Sequence, residues 1–181
     1  MARTILLSLG AERFGAPATT AKGERAMLMY GPGVKGNFLR LAKLVARGLP
    51  LPFAASSNRR SLLYIENLCS AILASLERPS PSPRTFLLSD GHDRSTGDLI
   101  RSIAHALGRP ARLFSLPVSL LKFAASMAGM SGEVRRLTDS LQVDISQVRK
   151  ELDWAPPFSF EEGVDRTVRA LALEMGNKGA M

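Results

Sequence analysis

Cysteine is nearly absent. Cys69 alone excludes an internal disulfide and a cysteine-rich zinc cluster, and its place inside an apolar-periodic stretch predicts buried packing. Aromatic residues make up only 6% and no nucleic-acid-binding module is recognisable, so no nucleic-acid partner is expected. His92 and His105 share no metal-ligand spacing and are assigned structural or surface roles. The longest apolar run, residues 113–130, is interrupted by Ser119, Lys122 and Ser126; this predicts a packed helix of a soluble protein, not a membrane span. At the N-terminus the apolar core, residues 5–9, is too short for a signal peptide. A cytoplasmic protein with no membrane partner is the expectation.

Acidic residues are missing where basic ones gather. Between residues 25 and 64 lie seven basic side chains, Arg25, Lys35, Arg40, Lys43, Arg47, Arg59 and Arg60, and no acidic one, within a chain of formal charge +8. That half carries a positive potential suited to phosphorylated ligands. With 181 residues, 45% of them apolar, the chain is long enough to bury the core of one domain.

In chain order, residues 1–24 show no periodicity and are expected to be poorly ordered or peripheral. Residues 26–30 read as a short buried strand and residues 31–37 as a loop. Phe38, Leu41, Ala42, Val45 and Leu49 recur at helical spacing, with Arg40, Lys43 and Arg47 on a solvated opposite side. Pro50 and Pro52 close that helix. Arg59 and Arg60 precede a strand over residues 62–65 and a helix through Leu76. A proline-rich connection, residues 77–83, leads to a strand over residues 85–89. Ser95 and Asp98 have the form of a capping box before a helix that Gly108 ends. Residues 111–116 are expected as a further strand, followed by helices over residues 117–130, 133–141 and 145–152. Glu133 and Asp144 are placed to pair with neighbouring arginines. Residues 154–157 are irregular because of paired prolines, and Phe160, Val164, Val168 and Leu171 mark the last helix. Alternating short strands and helices make this an α/β chain.

The Gly31-Pro32-Gly33-Val34-Lys35-Gly36 segment matches G-x-G-x-x-G between a strand and a helix. A dinucleotide loop also requires an acidic residue about 20 positions on to hold a ribose hydroxyl. None follows until Glu66, and Pro32 stiffens the backbone that would wrap a pyrophosphate. A tight turn at a strand end is the better reading.

Arg25 with Tyr30-Gly31-Pro32-Gly33, and Arg60-Ser61-Leu62-Leu63-Tyr64-Ile65-Glu66-Asn67-Leu68, resemble two segments of the extended short-chain dehydrogenase/reductase family, the NAD-dependent nucleotide-sugar epimerases and dehydratases. Residues 85–90 with Ser95-Thr96, and residues 144–154 with Glu161-Glu162-Gly163, resemble later segments in the same order. The resemblance implies the carboxyl-terminal, nucleotide-sugar-binding part of that fold over residues 25–175, with short strands, several helices and little of the Rossmann domain. Residues 1–24 and 176–181 flank it.

It also implies a substrate site. Asn37 and Arg60 would contact the diphosphate of a UDP-sugar or related nucleotide sugar, and Leu51 and Phe53 would lie against the base. Arg135 or Arg136 would stand as a second phosphate-binding arginine, with Lys35 and Arg59 as nearby charge. No catalytic, cofactor or metal-ligating residue is assigned. The family's Tyr-x-x-x-Lys pair has no counterpart, because Val34 and Leu68 stand four residues after Tyr30 and Tyr64. NAD belongs to the complete family enzymes, and none is expected on this chain alone. The implied partner, if any, is a separate dinucleotide-binding domain or a second copy of the chain.

Overall fold

The computed structural model describes residues 7–9, 28–77, 84–127 and 129–178. Its strands are three-residue segments that cannot stand alone and depend on helices packed against them. β2 (Leu28–Tyr30) pairs in parallel with β3 (Leu62–Tyr64), Leu28 opposite Leu62 and Tyr30 opposite Tyr64. β1 (Leu7–Leu9) pairs antiparallel with β4 (Arg84–Phe86), Leu7 opposite Phe86. The helices are α1 (Asn37–Ala46), α2 (Ile65–Glu77), α3 (Thr96–Ala106), α4 (Val118–Met127), α5 (Ser131–Thr138), α6 (Ser146–Leu152) and α7 (Phe160–Lys178).

β3 is buried on both faces, as a strand of a parallel pair requires. Successive side chains of a strand point to opposite faces. Leu62 and Tyr64 therefore join one apolar cluster, with Tyr30, Phe38 and Leu41 of α1, Ile100 and Ile103 of α3, and Val164 and Val168 of α7. Leu63 joins a second, with Leu68 and Ala71 of α2, Phe86, Val148 of α6 and Trp154. Helix α7 lies against the tyrosine rings so closely that a Cβ on Gly163 would come within 2.9 Å of both the Tyr30 hydroxyl oxygen and Tyr64 Cγ.

A buried carboxylate ties the strands to the helices. Asp90 accepts from the Tyr30 hydroxyl (2.7 Å), the Tyr64 backbone N–H (2.9 Å) and the Asn67 side-chain amide (2.8 Å). Asn67, fully buried on α2, also donates to the Phe158 carbonyl and accepts from the Phe158 N–H, both at 3.0 Å. Burial pushes the Asp90 carboxyl above the ordinary carboxylate range, and these donors oppose that rise.

The capping box forms as expected, Ser95 accepting from the Asp98 N–H and Asp98 from the Ser95 N–H. Elsewhere the structure corrects the sequence reading. The strand expected over residues 111–116 is reduced to an isolated parallel bridge between Leu113 and Leu51; Pro50 and Pro52 flank Leu51 and lack the N–H groups that a longer ladder needs. Cys69 is exposed, because the inward face of α2 is Asn67, Leu68, Ala71 and Ser75. Within α4 only Ala125 is fully buried, so the helix expected to be packed is largely bare. Asp144 has no ion pair among the described residues; it accepts from the Ser146 N–H (2.8 Å) and hydroxyl (2.9 Å) at the start of α6. α7 continues to Lys178, into the expected tail. The expectation for residues 1–24 lies outside the described residues except at β1. So do those for residues 78–83, Arg25 and the Glu133 side chain.

Two measurements test this arrangement. Gly163→Ala is expected to lower stability by about 1–3 kcal/mol through overpacking, read from urea unfolding. Tyr30→Phe removes a donor that favours ionised Asp90, raising its folded pKa further above the unfolded value. Because a raised carboxyl pKa means stability lost as pH rises through it, Tyr30→Phe is expected to destabilise more at pH 8 than at pH 4.5. Equal loss at both would refute the role given to that hydroxyl.

Candidate anion-binding site

Residues 59–61 are the point where three chain segments meet. On one side Arg60 and Arg94 exchange backbone hydrogen bonds, Arg60 N–H to Arg94 O at 3.0 Å and the reverse at 2.9 Å. On the other, the Ser61 N–H donates to Leu141 O (2.8 Å) and the Leu141 N–H to Arg59 O (2.9 Å). The Ser61 hydroxyl donates to Asp93 (2.6 Å) and accepts from the Val143 N–H (2.8 Å). Directly opposed residues of an antiparallel pair share one face, with Cα atoms about 5.5 Å apart. The Arg60 and Arg94 side chains therefore leave the ribbon on the same side.

Their charges are handled differently. Arg94 donates to Glu161 at 2.8 Å and lies over the Phe160 ring, 5.0 Å from its centroid. Arg60 has the Asp139 carboxylate as its opposing charge, while burial pulls its pKa below the ordinary arginine range. Both Nε–H groups are buried with no acceptor among the described residues. Asp139 is shared, with Lys122 of α4 at 3.0 Å and Arg135 of α5 at 3.6 Å. The Lys122 hydrogen bond heads the causes that hold its carboxyl below the ordinary range. Lys122 and Arg135 thus share one carboxylate, which also acts electrostatically on Arg60.

Asn58, 7% exposed, sets the geometry behind this cluster. Its amide donates to Thr96 Oγ1 (3.2 Å) and Leu137 O (3.1 Å), and its carbonyl accepts from the Thr96 N–H (3.1 Å) and the Ser56 hydroxyl. Thr96 Oγ1 in turn donates to Leu137 O at 2.5 Å. One side chain therefore joins the start of α3 to the end of α5, the helix that carries Arg135 and Arg136.

Of the residues singled out in the sequence, Arg60 and Arg135 both interact electrostatically with Asp139, Arg135 as an ion pair at 3.6 Å. Arg136 is exposed on the same helix. Asn37 is half-buried as the first residue of α1, with Gly36, not Asn37, as the N-cap. Leu51 and Phe53 are 7% and 6% exposed, inside the first apolar cluster. Lys35 and Arg59 are exposed. Sequence reasoning missed Arg94, Asn58 and Asp139: the pairing of Arg94 with Glu161 and of Asn58 with Thr96 and Leu137 spans tens of residues and leaves no local pattern, whereas the Arg135–Asp139 pair, four residues apart on α5 and its C-cap, was a local signal. Among the described residues, no group of three or more His, Cys, Asp or Glu side chains is placed to hold a metal, and no helix is long and apolar enough to cross a membrane.

Comparison with known proteins gives consistent relatives. The chain is 41% identical over 155 residues to the UDP-glucose 4-epimerase of Vibrio cholerae, covering 85% of this chain and 47% of that protein. The structure superposes on an epimerase from Methanothermobacter thermautotrophicus with a TM-score of 0.61 at 19% identity, over 83% of this chain and 42% of the other. It superposes on the UDP-glucose 4-epimerase of Thermotoga maritima, solved with UDP-glucose, with a TM-score of 0.56 at 18% identity, over 82% and 44%. No protein-family model matches. The chain spans about half the length of the curated relatives it matches.

Asn58→Ala leaves the Thr96 N–H without its side-chain acceptor and removes two donors from buried surroundings. A loss of about 2–4 kcal/mol is expected, measured by denaturant unfolding, and a change under 0.5 kcal/mol would remove Asn58 from its supporting role.

Proposed function

Because the chain belongs to the extended short-chain dehydrogenase/reductase family and has the fold of its carboxyl-terminal part, we propose that it is the substrate-binding portion of an NAD-dependent nucleotide-sugar epimerase or dehydratase of the UDP-glucose 4-epimerase type. The ligand is a UDP-sugar or a related nucleotide sugar. The observation that carries this reading is Arg60, whose buried Nε–H has no acceptor among the described residues and whose opposing charge, Asp139, is already ion-paired to Lys122 and Arg135. A diphosphate supplies both the missing negative charge and oxygens spaced for a guanidinium fork. Arg135 and Arg136 of α5 add positive charge, Asn37 contributes a further polar contact, and Leu51 and Phe53 support the base from the core side.

The chain alone binds no NAD and completes no turnover. Taking a proton from a sugar hydroxyl needs a base that ionises near neutral pH. Burial, then Asp90, pushes the Tyr30 hydroxyl far up, and burial with the Glu66 hydrogen bond raises Tyr64 to about 12. Neither phenol can serve. The redox step then requires a dinucleotide-binding unit outside these residues, and the working location is the cytoplasm.

Calorimetric titration of the chain with UDP, UDP-glucose, UDP-N-acetylglucosamine and NAD tests this. Binding of the UDP compounds and none of NAD is expected, with Arg60→Gln weakening UDP binding about tenfold or more. Indifference of UDP binding to Arg60→Gln, or epimerisation by the chain alone, would overturn the proposal.

A further inference from the structure

Helix α4 turns one apolar face to solvent. At about 100° per residue, Leu120, Phe123, Ala124 and Met127 fall within an arc of roughly 100°. All four are exposed, with Leu120 at 51%, Phe123 at 65% and Met127 at 78%. The side turned to the protein is a different one, where Ala125 is buried and Leu121 packs partly against the first apolar cluster. Ser119, Lys122 and Ser126 form a polar strip between the two. The helix thus carries a second apolar stripe that its own fold does not use. Phe114 and Met130, just before and just after it, are 44% and 51% exposed.

The charge beside this stripe is mostly positive, with Asp139 as the acidic partner of Lys122. From Leu99 to Gly132 the chain has Arg101, Arg109, Arg112 and Lys122 and no acidic residue. Arg135, 72% exposed on α5, reaches the same Asp139 carboxylate as Lys122 and so lies alongside α4. Arg109 and Arg112 are exposed on the segment leading into α4.

We propose that α4 is a docking surface for an anionic lipid membrane, lying in the plane of the interface with Leu120, Phe123 and Met127 seated among the acyl chains and the neighbouring arginines and lysine against the headgroups. At ten residues the helix is too short to span a bilayer, whereas an apolar stripe edged by basic side chains suits interfacial binding. A second copy of the chain is the poorer occupant. A two-fold contact would set each copy's Lys122 and Arg135 near their own images, with only Asp139, already shared between those two cations, opposite. This replaces the expectation, drawn from residues 113–130, of a packed helix without membrane contact, and it stands independently of the nucleotide-sugar reading.

The test is flotation of the full chain with vesicles of phosphatidylcholine alone and of phosphatidylcholine containing phosphatidylglycerol. Binding is expected to the anionic vesicles only and to weaken as salt is raised. The triple variant Leu120→Ser, Phe123→Ser, Met127→Ser is expected to reduce it about tenfold or more. All three side chains are exposed, so the thermal unfolding midpoint is expected to stay unchanged, and Arg109→Gln gives a second, milder variant. Three results would overturn the proposal: no binding to anionic vesicles, equal binding to neutral ones, or a dimer in light scattering that the triple variant abolishes.

Discussion

A carboxylate in an apolar interior must be surrounded by donors, and the position of Asp90 follows from that requirement. Its partners come from β2 (Tyr30), β3 (Tyr64) and α2 (Asn67), and Asn67 then binds both backbone groups of Phe158 ahead of α7. The Asp90 N–H donates to the Leu62 carbonyl at 2.8 Å. Four separate parts of the chain are thereby held in one register that strands of three residues could not maintain by their own ladders.

The basic site inherits its position from this hub. β3 is pinned at its far end by Asp90, and its near end is Ser61, beside Arg60. Three residues after Asp90 the chain supplies Asp93 to the Ser61 hydroxyl, and next to it Arg94 to the Arg60 backbone. Asn58 and Thr96 close the same loop pair from the other side by holding the end of α5. The buried polar groups here are well supplied with partners, which makes the Nε–H groups of Arg60 and Arg94, without an acceptor among the described residues, conspicuous.

Two surfaces are therefore left incomplete by the fold, for opposite reasons. Around Arg60 there is charge in excess of its counter-charge, and along α4 there is apolar area in excess of what the core can take. On the two proposed readings, the first takes an anion of defined shape and the second an extended apolar phase with negative headgroups. A single ligand does not satisfy both.

Periodicity in the sequence was enough to locate α1, α3 and α7, because each has one apolar face; the terminators of α1 and α3 and the Ser95 capping box were legible as well, while the end of α7 was not. The motif around Arg60 to Asn67 was legible too, as a strand running directly into a helix. Contacts between distant residues were not. Whether Arg60 meets Asp139, or Asn58 meets Leu137, depends on segments tens of residues apart being folded together, and side-chain type carries no record of that. The same holds for burial. Apolar composition marked residues 113–130 and Cys69 as interior, yet only the finished packing decided which helix faces had partners, because a core takes up no more apolar surface than its neighbouring elements can cover.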